Sequence, residues 1–179
     1  MSTRDSLNVL LRDGHVVHVA PLMRGIASVR HLFLEVEVYK KLESALEGNS
    51  QTDMALARLF SALDAFTSGR MISIGDHPFE KEKSAYMART DPPQDGIFDF
   101  RVHGLKGIPS VRLFGAFCET NVFLGLTWKL RASLGGRDDR LFNNAILQAI
   151  GVWDRLMPEC RRFYSENIED HVSENFHVV

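Results

Sequence analysis

Several features are scarce in this chain of 179 residues. No run of about eighteen apolar residues occurs, so no membrane-spanning helix is expected. Near the start, Arg4, Asp5, Arg12 and Asp13 interrupt any apolar stretch, which argues against a secretory leader. Cysteine appears only at Cys118 and Cys160, with no CxxC pair, and this excludes thiolate zinc modules and dithiol redox motifs. One disulfide or two thiols both remain open, and a reducing cytoplasm favours thiols. The hydrolase elbow GxSxG, the phosphate loop GxxxxGK[ST] and the dinucleotide signature GxGxxG after a strand are missing. So are internal repeats and low-complexity tracts. Neither sign of charge dominates: 21 Lys and Arg face 23 Asp and Glu, net −2. That balance argues against a general nucleic-acid coat protein and leaves room for a local patch.

What is present fits a cytoplasmic globular chain, 45% apolar and 25% charged. Its length is enough for one domain with its own core. Residues 1–13 read as a short helix or docked arm. HVVHVAPL, from His15, reads as a first strand. From Ser28, Leu32, Val36, Tyr39, Leu42 and Leu46 recur at helical spacing, and Gly48-Asn49 closes that helix. Thr52 or Asp53 caps a second helix carrying Leu56, Leu59, Phe60, Leu63 and Phe66. Residues 69–96 read as one long loop with a helical turn around Lys81–Ala88. IFDFRVH, SVRLFGAFC and NVFLGLTWKLR then form a three-stranded meander. A helix from Asp138 to about Met157 follows, ended by Pro158. The expected class is therefore α+β: an antiparallel sheet, made of the N-terminal strand and the meander, packed against a helical hairpin and a C-terminal helix.

Charge is distributed unevenly. Between Ile97 and Arg137 lie Arg101, Lys106, Arg112, Lys129, Arg131 and Arg137 against Asp99 and Glu119, net +4, which leaves −6 for the rest. The tail, residues 159–179, carries five acids against Arg161 and Arg162. A basic sheet in an acidic chain points to a polyanion. The tail can reach the whole domain and is expected to lie along that sheet, with FHVV adding an edge strand. Alternation places Phe98, Phe100 and Val102 on one face and Asp99, Arg101 and His103 on the other. Arg112, between Val111 and Leu113, must find an anionic ligand or a carboxylate such as Asp99. Trp128 either stacks on a base or caps the core. His15 and His18 are three apart and so diverge on a strand. With His31 and His77 as loose extras, no metal site and no cofactor is expected. Gly135-Gly136-Arg137 opens a helix, but Asp138 and Asp139 favour ordinary capping there over phosphate binding.

The order strand, helix, helix, meander, helix resembles that of the RelE/ParE/HigB-type bacterial toxins. The likeness spans roughly Val16–Met157 and rests on IFDFRV, HGLKGIPSVRLFGAF and NVFLGLTWKL. The chain departs from the pattern at Val111, where an aromatic often precedes the arginine, and in its long loop and acidic tail. The resemblance implies a toxin-like RNA-binding protein and, in its catalytic form, a metal-independent endoribonuclease acting on RNA or at the ribosome. Arg101 and Arg112 would be its phosphate and transition-state cations and His103 its acid/base. Lys106, Lys129, Arg131 and Trp128 would contact RNA. An acidic antitoxin-like protein is the implied partner. The alternative is a non-catalytic interaction module whose basic face holds an acidic segment.

Overall fold

Ile97–Phe100, buried on both faces, begin β5 (Ile97–Val102), which pairs antiparallel with β6 (Val111–Glu119), and β6 pairs with β7 (Val122–Leu130). The expected meander is therefore present. A computed structural model describes residues 2–23, 25, 27–76, 85–135 and 140–179. In it the meander is the centre of one eight-stranded mixed sheet, ordered β1-β2-β7-β6-β5-β4-β3-β8.

The α+β class holds, but the sheet is not purely antiparallel. The N-terminal strand is the first half of a hairpin, β1 (Val16–Val19) with β2 (His31–Glu35), and β2 runs parallel to β7. Residues 31–35, expected in a helix, are extended. Leu32 and Leu34 are fully buried on one face, while Phe33 turns to the other. Glu35 then caps α2 (Val36–Ala45) directly, its carboxylate accepting from the Glu37 and Val38 amides at 2.9 and 3.1 Å. α3 (Gln51–Thr67) starts two to three residues earlier than expected. Ser50 is its N-cap and Asp53 returns the bond in a capping box. The same device, Ser2 with Asp5, starts α1 (Thr3–Arg12).

The long loop carries two strands, β3 (Ile72–Gly75) and β4 (Met87–Arg89), parallel to each other. Of the helical turn expected at 81–88, residues 81–84 lie outside the described residues and Met87 onward is strand. The last helix, α4, covers Arg140–Leu156. The expected start at Asp138, and the capping role of Asp138 and Asp139, lie outside the described residues.

Two cores flank the sheet. On one face, Leu42, Leu56, Leu59, Leu63 and Phe66 of α2 and α3 meet Phe98, Phe100, Phe117 and Phe123. Phe100–Phe123 and Phe117–Phe123 pack edge to face at 4.9 and 5.1 Å, a preferred aromatic geometry. On the other face, Leu7 and Leu10 of α1 and Ala145, Ile146, Ala149 and Trp153 of α4 cover Phe114, Ala116, Leu124 and Leu126. At the bulge between β6 and β7, Gly115 opposes Gly125. A Cβ on Gly115 would run into the Leu124 carbonyl oxygen and the Phe123 ring.

FHVV does supply an edge strand, β8 (Phe176–Val178), but the strand it extends is β3. Phe163, Ile168, Val172 and Phe176 join the core on the α2–α3 face. The tail therefore does not overlie Arg101 and Arg112, whose side chains leave on the opposite face. Two buried cations hold it in place. Arg30, 0% exposed, donates to the carbonyl oxygens of Arg70, Glu174 and Asn175. Arg89 donates to those of Ser165 and Glu166 and pairs with Asp76 at 2.9 Å.

Candidate functional site

The meander brings three cations into one line. Arg101 is the cross-strand partner of Arg112, and Arg112 of Lys129. Val111 and Leu113 are turned toward α2 and α3, so Arg112 leaves on the α4 face, and its register partners follow. Neighbouring strands lie about 4.8 Å apart, and like charges placed directly opposite repel. Asp99, two residues before Arg101 on the same face, offsets part of that cost. Its Oδ1 accepts from Arg101 Nε at 2.9 Å, and its Oδ2 lies 3.5 Å from Arg112 Nη1. Asp99 is 1% exposed, while the two arginine side chains keep 19% and 14% of their surface. A buried carboxylate needs such partners, because an uncompensated charge there is costly. The three cations and this one carboxylate sum to +2, and both arginine side chains stay mostly buried.

His103 follows Arg101 at the end of β5. Its imidazole is held below its ordinary range, first by desolvation and then by the charges of Arg112 and Arg101. It is therefore neutral near pH 7 and able to accept a proton. The loop that follows is pinned by Gly104 N–H donating to Ser110 Oγ at 2.8 Å and by paired bonds between Leu105 and Ile108. Lys106 sits exposed in that loop and is not one of the register partners. Beyond Lys129 a groove of about 430 Å³ continues between Thr127, Ser133 and Gln148.

Two sequence candidates fall elsewhere. Arg131 donates to the Gly135 carbonyl oxygen and closes its own turn. Trp128 is the register partner of Leu113 and packs against the α2–α3 core, on the face away from Arg112. It packs against the core where the sheet ends and also lines the groove beyond Lys129. The structure thus gathers Arg101, Arg112, Lys129 and His103. Asp99 completes the cluster, and the sequence signal for it was its same-face position two residues from Arg101.

Among the described residues, no group of three or more His, Cys, Asp and Glu side chains converges as a metal site. No helix among them is long and apolar enough to cross a membrane. Compared with known proteins, the chain matches no family model, no curated protein and no solved structure.

Proposed function

We propose that this chain is a RelE-like, RNA-binding toxin-type protein of the cytoplasm whose Arg101–Arg112–Lys129 row holds a phosphodiester backbone. The observation that carries this reading is the row itself: three cations in register on three adjacent strands with one buried carboxylate between two of them. Charge of that kind attracts an extended polyanion and presents a guanidinium to each phosphate by charge-assisted bonds. In the cleaving form of this reading, the ribose 2′-OH attacks the adjacent phosphorus. His103 takes the hydroxyl proton, a 2′,3′-cyclic phosphate forms as the P–O5′ bond breaks, the departing 5′-oxygen takes a proton from water, and Arg101 and Arg112 hold the charge that builds on the phosphoryl oxygens. An acidic antitoxin-like segment is expected to compete for the same row.

A second reading is favoured by Asp99. It already engages both arginines, and cleavage needs a proton donor at the leaving oxygen as well as the base that His103 offers. A binding module that holds an acidic partner and cleaves nothing fits that arrangement.

Expression of the chain separates the two. The toxin reading expects growth arrest and RNA cleavage, alone or with ribosomes. Arg112→Ala should relieve both while leaving the fold intact, since one transition-state cation is worth about 10²–10³ in rate. No arrest and no cleavage from the wild-type chain leaves the interaction module as the reading.

A further inference from the structure

The β1–β2 hairpin places together two histidines that lie thirteen residues apart in the chain. His31 Nδ1 stands 3.4 Å from His18 Nε2, with the ring centroids 5.6 Å apart. His18 is braced on its other side by Phe33, centroid to centroid 4.9 Å. His18 is half-buried and His31 is exposed, so the pair opens to solvent.

That separation carries information about geometry. Two nitrogens bound to one tetrahedral zinc, each at about 2.0–2.1 Å, lie about 3.3–3.4 Å from each other. On a square-planar ion such as Cu²⁺, cis nitrogens at similar bond lengths lie only about 2.8–3.0 Å apart. We propose that His18 and His31 form a two-histidine site for a tetrahedral divalent cation, Zn²⁺ above all, with water completing the coordination. Glu119, a carboxylate lining the opening beside His31, is engaged by Arg4 at 3.0 Å, so among the described residues the two histidines are the ligands of the site. A metal there ties the edge strand β1 to β2 by a bond across the hairpin. The same nitrogens form an N–H···N hydrogen bond when a proton lies between them, and that is the competing occupant.

The test uses the full chain and ZnCl₂ alone at pH 7.5, with Mg²⁺ as control. Side-chain NMR should show the His18 and His31 ring resonances moving together and saturating at one equivalent, with His15, His171 and His177 still. His18→Ala and His31→Ala should each weaken binding by at least about tenfold, the loss seen even for outer-shell changes at metal sites. Zinc should also raise the wild-type melting temperature but not that of either variant. Saturation at other histidines, or zinc affinity unchanged in both variants, overturns the proposal. So does the absence of any shift of the two rings, which assigns the contact to the hydrogen bond. Should one variant fail to fold, the other decides.

Discussion

Replacing Asp99 by Asn keeps the shape of the side chain and removes the charge that joins Arg101 to Arg112. The carboxylate is 1% exposed and its partners lie at 2.9 and 3.5 Å. Removing one partner of a buried ion pair costs about 3–5 kcal/mol, because the remaining charge stays in the protein. Here two guanidiniums are left facing each other across β5 and β6, although each keeps part of its surface in water, so the lower end of that range applies. For a chain of this length a loss of about 3 kcal/mol lowers the melting temperature by roughly 6–12 °C. The same change raises the net positive charge of the row. Asp99→Asn should therefore melt earlier in thermal unfolding and yet bind single-stranded RNA more tightly at low salt. The opposite signs of the two effects separate this account from a general weakening of the fold, which lowers both. A melting temperature within a degree or two of wild type, with unchanged RNA binding, refutes the view of Asp99 as the charge that balances the row.

Three further outcomes are expected. His171 is buried among Phe98, Phe117 and Phe163, and burial is the main cause of its lowered pKa. Its neutral form is favoured in the fold, so stability should be full above about pH 6.5 and fall as pH drops below it, toward the folded pKa. His171→Phe should flatten that acid limb in denaturant titrations. A chain ending at Pro158 should fail to reach the native fold by circular dichroism, because it loses Phe163, Ile168 and Val172 from the core, each worth about 1.5–3 kcal/mol; a cooperative melt near the full chain's would contradict this. If the chain cleaves RNA, His103→Gln should abolish the fall in rate on acidification, whose midpoint in the wild-type protein lies below 6.5 because the imidazole pKa is lowered.

The meander was legible because its three segments are strongly apolar and separated by Gly, Pro and polar turn residues, and helices cover both of its faces. Alternation also put Asp99, Arg101 and His103 on one face and made Asp99 a candidate partner of Arg112. The β2–α2 junction was not legible. Leu32 and Val36 satisfy helical spacing as well as strand alternation, and Glu35 caps the helix with no intervening turn to mark the change. β3 and β4 are short and lie among Gly, Pro and Asp, so a local pattern reads as loop. The destination of the tail was hidden too, since its anchors Arg30 and Arg89 bind backbone carbonyls, which leave no trace in residue type. Trp128 was decided by register alone, one position from Lys129 and on the other face.

The most direct measurement is the salt dependence of binding to single-stranded RNA by the wild-type chain and by Arg101→Ala, Arg112→Ala and Lys129→Ala. Each phosphate neutralised contributes about −0.7 to the slope of log K against log salt for a single strand. A row of three cations predicts a slope near −2, reduced by about 0.7 in each variant. A slope near zero, or one that none of the three substitutions changes, contradicts the row as the RNA-binding site.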